Sequence, residues 1–296
     1  MSIQIRKLSY PLGAEISGVD ISQPQSDETI GEIRKALLDH CLLLFRGQPI
    51  THAQYVAFSQ GFGVLDKKQP RALADYPEIS PVINKPKTDG SPADPDYNGS
   101  DWHSDISYRV NPTIISTLKA VAVPEVGGDT QFANLYLAYE TLSDGMKKMI
   151  AGLEAVHMQE EKDLDHSSPE RLEASRREKI AAHPLVKVHP ETGRKLLYVG
   201  DKVMLFAGMT QDESRPLIDY LRNHARRQQF VCRQVWQKDD LVVWDQRCLN
   251  HNAMGNYDRR LQLRHLEKTT IPGPVVGRTY HDTTNARNLS RGFSYS

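Results

Sequence analysis

The chain has 296 residues, 39% apolar and 25% charged, which is long enough for a sizeable core and unlike a disordered, collagen-like or coiled-coil protein. Its 37 basic residues balance 37 acidic ones, which argues against a protein built to grip nucleic-acid phosphates or an anionic membrane. The three cysteines, Cys41, Cys232 and Cys248, are odd in number and far apart, which speaks against a disulfide framework or a cysteine zinc site.

Residues 1–12 are polar and lack the apolar core of a signal peptide, and no apolar run approaches a membrane span. A cytoplasmic protein is expected. Residues 14–20 alternate apolar and polar and end at turn formers, which predicts a strand. Residues 27–40 place Ile30, Ile33, Ala36 and Leu37 at helical spacing behind Ser26 or Asp27 as N-cap. Residues 41–45 form a short apolar run that reads as a buried strand. Thr51 is the expected cap of a second helix, ending near Gly61 or Gly63.

Residues 66–100 are rich in proline and read as a long binding loop, with a small strand at 82–84. Strands are predicted at 102–108, 113–123 and 130–133, and helices at 134–142, 144–152, 168–181 and 210–228. His189 to Arg194 reads as a hairpin turn. Further strands are expected at 230–236, 241–244 and 260–268, and an irregular tail from about residue 273. No repeat or linker divides the chain, so residues 1–296 are expected to form a single domain. Strands at both ends with helices between them predict a mainly β protein with helical decoration, built on a double-stranded β-helix, or jelly-roll, core. A doubly wound α/β fold would need regular alternation and a glycine-rich phosphate loop, and neither is present.

Three segments can carry chemistry. His103 and Asp105 in Trp102-His103-Ser104-Asp105 would share one face if the segment is a strand. An imidazole and a carboxylate so placed, with a distant imidazole, make the facial triad of non-haem iron(II) oxygenases. The spacing alone is weak, because 11 histidines give roughly one such pair by chance. The chain also holds His189/Glu191, across the turn, and His265/Glu267. His251 lies just beyond the apolar run Leu241 to Trp244 and is the candidate distant imidazole. In the late strand Arg260, Gln262 and Arg264 share one face, with His265 on the other. Paired arginines on an interior strand suit a dicarboxylate such as 2-oxoglutarate. A solvated face with snorkelling arginines is the bland alternative.

In sequence order, Leu12 to Asp20, Trp102 to Asp105, Pro124 to Thr130, Ala138 to Ser143, His189 to Lys195 and Val243 to His251 resemble the taurine dioxygenase / 2,4-dichlorophenoxyacetate dioxygenase family. The resemblance covers most of the chain and fades after about Pro272. It implies Fe(II) held by His103, Asp105 and His251, with 2-oxoglutarate as co-substrate. It further implies that Thr130 and Arg260 bind the distal carboxylate of 2-oxoglutarate and that Arg264 meets the acidic group of the primary substrate. The stretch between His251 and the arginines is slightly shorter than in well-known members, which leaves Arg260 and Arg264 open to exchange.

The related halogenases lack the carboxylate, so Asp105 favours hydroxylation. The histidine that meets the sulfonate in taurine-specific members falls at Lys67-Lys68-Gln69, and the expected asparagine is Gly99, so taurine itself is not the expected substrate. The resemblance implies hydroxylation of a small organic acid (a carboxylate, aryloxyalkanoate, sulfonate or sulfate ester) by O2, with succinate and CO2 released. Hydroxylation beside an ether oxygen or a sulfonate carbon would end in C–O or C–S cleavage. Lys67, Lys68, Lys85 and Lys87 are read as solvating lysines rather than substrate contacts. A homo-oligomer is expected from the family alone, with no nucleic-acid or membrane partner. A zinc hydrolase on the same ligands and a non-catalytic jelly-roll binding protein are the alternatives.

Overall fold

In the computed structural model, residues 3–67, 71–86, 99–160 and 163–280 are described. The chain starts with β1 (Gln4–Lys7), β2 (Ala14–Ser17), α1 (Asp27–His40), β3 (Leu42–Phe45) and α2 (His52–Gln60). Next come β4 (Ser80–Asn84), β5 (Thr113–Ala122), β6 (Thr130–Asn134), α3 (Leu135–Glu140) and α4 (Asp144–Ile150). The middle holds β7 (Glu154–Met158), α5 (Pro169–Glu178), β8 (Ile180–Pro184), β9 (Val186–Val188), β10 (Lys195–Leu197), β11 (Val203–Phe206) and α6 (Gln211–Ala225). The order closes with β12 (Val231–Gln234), β13 (Leu241–Asp245), β14 (Leu249–Ala253), β15 (Arg264–Pro272) and β16 (Arg278–Thr279).

Among the described residues the largest sheet has the order β1-β2-β3-β13-β5-β15-β4, with β2 and β3 parallel. Its central strands are apolar on both faces because both faces are covered. Leu42 and Leu44 of β3 and Val242 and Trp244 of β13 pack with Phe132 and Leu249 of a second layer. The alternate residues Leu43, Phe45, Leu241 and Val243 pack under Ile33 and Leu37 of α1 and Tyr55 and Phe58 of α2. The second layer contains the sheets β12-β6-β14 and β11-β7-β8-β16. Two facing layers of mostly antiparallel strands, with helices on the outside, make a jelly-roll-type fold.

The helices start where their caps require. Ser26 accepts from the Thr29 amide at α1, and Thr51 and Thr210 form capping boxes with Gln54 and Glu213 at α2 and α6. The predicted helix 168–181 ends at Glu178, and its last residues belong to β8. The hairpin turn at His189 joins β9 to β10 as expected. Two strand predictions need correction. Residues 102–108 do not form a strand, since only His103 makes a bridge, to His251, before the chain turns. The late strand begins at Arg264, not Arg260, because Asp258 closes a turn through its carbonyl to the Leu261 and Gln262 amides. β1, β7, β8, β11 and β14 were not predicted. The expected irregular tail contains β16, which pairs with β8, and Tyr280 is buried. Lys68, Lys87, Arg287 and Arg291 lie outside the described residues. No helix among the described residues is long and apolar enough to cross a membrane.

Candidate active site

His103 and His251 exchange both backbone hydrogen bonds, at 3.0 and 2.8 Å, as an isolated antiparallel pair. This sets the imidazoles side by side, with ring centroids 4.2 Å apart. β14 carries His251 and pairs with β6, so His251 lies opposite Phe132. Phe132 stacks on the imidazole and Trp244 meets it edge-on, at 6.0 and 5.2 Å. Asp105 follows in the turn, where its amide donates to Gln246 Oε1 at 3.0 Å. The predicted same-face spacing within a strand is therefore replaced by a bridge and a turn, which still bring the two side chains together.

The two oxygens of Asp105 have different tasks. Oδ2 accepts from Gln246 Nε2 at 2.7 Å, Ser116 Oγ at 3.1 Å and Lys268 Nζ at 3.2 Å. Oδ1 faces His103 Nε2 at 3.5 Å and His251 Nε2 at 3.8 Å. His103 Nδ1 sits 2.8 Å from the Asp101 carbonyl, which can only accept. The proton therefore belongs on Nδ1 and the lone pair on Nε2, turned toward Asp105. Burial works against charge on Asp105. Lys268, with the two neighbouring histidines, outweighs it and holds the carboxyl well below the usual range. Burial likewise opposes charge on His103, but Asp105 and Asp101 together move it upward. Burial, with His103 alongside, presses His251 down to about 3.

Among the described residues, His103, Asp105 and His251 are the only three His, Cys, Asp or Glu residues whose ligand atoms all lie within 4.8 Å of one another. One ionised oxygen and two imidazole nitrogens fit a divalent cation. Such a set leaves three coordination positions open. The competing pairs have other duties. His189 is buried, with Nε2 3.1 Å from Asp245 and Nδ1 accepting from the Glu191 and Thr192 amides, so it pins the hairpin. Glu267 pairs with His52 at 2.9 Å.

The structure separates the two arginines. Arg264 is 2% exposed, and its guanidinium reaches the Gly128 carbonyl at 2.7 Å and Thr130 Oγ1 at 3.3 Å. Trp236 Nε1 donates to the same hydroxyl at 3.0 Å. Gly128 has φ 70°, and a Cβ there would stand 3.3 Å from Arg264 Cδ, so this turn needs glycine. Arg260 lies outside, its side chain 59% exposed and paired with Asp258. The predicted pairing of Thr130 with Arg260 is thus replaced by Thr130 with Arg264, because the strand starts four residues later than expected.

The sequence reading gave no role to Gln246, Ser116 or Lys268. Lys268 had a signal, a charged side chain on an interior strand. Of the early lysines, Lys67 pairs with Glu78 at 3.2 Å and is mostly exposed, and Lys85 is exposed.

The family model for the taurine catabolism dioxygenase TauD, TfdA family matches residues 4–270. The chain belongs to this family. Over 93% of its length it is 33% identical to an alkylsulfatase from Acinetobacter baylyi, covering 86% of that protein. It is 30% identical to the alpha-ketoglutarate-dependent 2,4-dichlorophenoxyacetate dioxygenase of Cupriavidus pinatubonensis, over 93% of this chain and 100% of that one. A crystal structure of a taurine dioxygenase from Burkholderia xenovorans superposes with a TM-score of 0.78 at 32% identity, covering 99% and 100% of the two chains. The structure of AAD-2 in complex with Mn(II) and N-oxalylglycine superposes with a TM-score of 0.78 at 29% identity, covering 93% and 98%. The TauD/TfdA fold thus accounts for nearly the whole chain.

Proposed function

We propose that this chain is an Fe(II)- and 2-oxoglutarate-dependent dioxygenase acting on a small anionic organic substrate. The observation that carries the reading is one strand pair holding both halves of the site. On β6 and β14, Phe132 lies opposite His251 and Thr130 opposite Ala253. Thr130 is therefore two residues, about 7 Å, along the strand from the metal ligand. A five-carbon dicarboxylate spans that gap, with its keto-acid end at the triad and its far carboxylate on Arg264 and Thr130. Iron(II) and 2-oxoglutarate would together supply the oxidising power for C–H hydroxylation by O2, with succinate and CO2 as co-products.

The protein's own share is binding and orientation. Gln246 and Ser116 hold Oδ2 of Asp105, so Oδ1 alone faces the imidazoles. Lys268 places an ammonium beside the triad, 25% exposed, and is the candidate partner for the substrate's acidic group. It takes the role expected of Arg264. Relatives named for 2,4-dichlorophenoxyacetate, sulfate ester and sulfonate substrates support an aryloxyalkanoate, carboxylate, sulfonate or sulfate ester here. Hydroxylation next to the ether oxygen or sulfonate carbon would end in C–O or C–S cleavage. The family supports neither the zinc-hydrolase nor the binding-protein alternative.

The test is anaerobic addition of Fe(II) and 2-oxoglutarate, followed by visible spectroscopy. A weak metal-to-ligand charge-transfer band is expected in the wild type and not in His251→Ala. Folded, iron-loaded wild type without the band would refute the proposal.

A further inference from the structure

The backbone directly after Asp105 is held in a conformation its residue does not favour. Ile106 has φ 57°. A β-branched side chain in the left-handed region crowds its own carbonyl, and it persists only where the surroundings leave no other choice. They do so from both sides. Before Ile106, His103 is bridged to His251, Ser104 Oγ donates to the Leu249 carbonyl at 2.8 Å, and the Asp105 amide donates to Gln246. After it, His183 Nε2 stands 2.9 Å from the Ser107 carbonyl and 3.0 Å from the Arg109 carbonyl. Both partners are acceptors, so that nitrogen carries the proton and donates to the pair. The Arg109 amide also closes on the Ile106 carbonyl at 3.0 Å.

Ile106 lies between the two clamps. An extended step at Ile106 would carry residues 107–109 away from His183, and the left-handed step lets both clamps close at once. His183 is fully buried on β8, so it is a rigid anchor for the far side of the turn. Glycine would adopt the same φ without strain. It would also let the chain wander there, and Asp105 with it.

We infer that Ile106 and His183 are positioning residues for the metal centre, in which a strained turn closed by His183 fixes the carboxylate of Asp105 toward the two imidazoles. The inference rests on the metal-site reading above. Preorganised ligand placement of this kind acts through outer contacts that never touch the ion.

The test compares Ile106→Gly with Ile106→Ala, which lose the same side chain and differ in left-handed freedom. The expected result has two opposite signs. Ile106→Gly melts a few degrees above Ile106→Ala, because alanine still carries the strain. Yet Ile106→Gly binds Mn(II), measured by calorimetry, about tenfold more weakly than Ile106→Ala. A residue that served stability alone would not separate the two readouts. Equal Mn(II) affinity, or a lower melting temperature for the glycine variant, would overturn the inference. Should either variant fail to fold, His183→Gln and His183→Phe decide instead. Glutamine keeps a donor and should hold Mn(II) affinity within about threefold, while phenylalanine should lower it about tenfold. Equal affinities in this pair would likewise overturn it. If His251→Ala leaves Mn(II) binding unchanged, the metal-site reading itself fails, which is a different result from any of these.

Discussion

Arg264 and Arg260 carry the same charge a single turn of chain apart, and burial divides them. Arg264 opens β15 with its guanidinium under Gly128 and Thr130, while Arg260 is tied to Asp258 in solvent. A guanidinium fixed in a dry pocket grips a carboxylate in two places, and one in water gains little from a single partner. Arg264→Ala is expected to raise the KM for 2-oxoglutarate, measured as succinate formed, by about a hundredfold or more. Arg260→Ala should stay within about threefold of the wild type. The reverse order would return the co-substrate role to Arg260. The sequence could not separate the two, since both are arginines at strand-compatible spacing. What displaces Arg260 is a turn built by Asp258, and its amide contacts exist only in the fold. His103, Asp105 and His251 were singled out by the family resemblance, since their spacing alone is weak, and the fold brings the three together. Lys268 was missed because its one signal, a charged side chain on an interior strand, does not by itself name a partner.

Among the strands that were read correctly, Leu42 to Phe45 and Leu241 to Trp244 carry apolar residues on both faces, where the composition itself reports burial. The turn at residues 105–109 was misread because isoleucine is a strand former, and its left-handed φ is imposed by His183 and Gln246 from distant strands. β7 and β8 were missed because they are short and carry histidines in place of apolar residues. Those histidines give the strand pair a pH dependence. His157 and His183 meet edge-on at 5.3 Å, facing Lys187, Tyr198, Glu154 and Arg222. Among the described residues, neither nitrogen of His157 has a hydrogen-bond partner. Burial, then the neighbouring His183 and Lys187, holds His157 well below its ordinary value. Burial and Lys187 press His183 down to about 3. Both folded values lie below the unfolded value of 6.5, so the stability tied to their neutral forms is complete above pH 6.5. It is lost as pH falls from there toward about 3 for His183. The slope is about 1.4 kcal/mol per pH unit for each histidine. Urea unfolding at steps from pH 7 to 5 should show this decline together with that of the buried His251, and His157→Phe should make it shallower. An unchanged slope in that variant would mean His157 is not kept neutral by the fold.

At the scale of the molecule, the candidate site is a seam between layers. Ser116, Gln246 and Lys268, which hold Asp105, come from the large sheet or the segment just after β13, whereas His251 and Thr130 belong to the smaller sheet. His103 joins the smaller sheet through its bridge to His251. Asp105 and Arg264 meet the two imidazoles and Thr130 only while the layers are packed, so a metal and co-substrate that use all of these groups bind the folded chain only. Mass action then makes them stabilisers. At a hundred times the dissociation constant the gain is about 2.7 kcal/mol, which for a chain of 296 residues raises the melting temperature by about 4 °C. Anaerobic Fe(II) alone should produce a first rise and 2-oxoglutarate a second, read by scanning calorimetry. His251→Ala should lose both, because without the metal the keto-acid end has no anchor. Arg264→Ala should keep the rise from the metal and lose most of that from the co-substrate. A co-substrate rise that persists in His251→Ala would place 2-oxoglutarate away from the triad and break the link between the two halves of the seam.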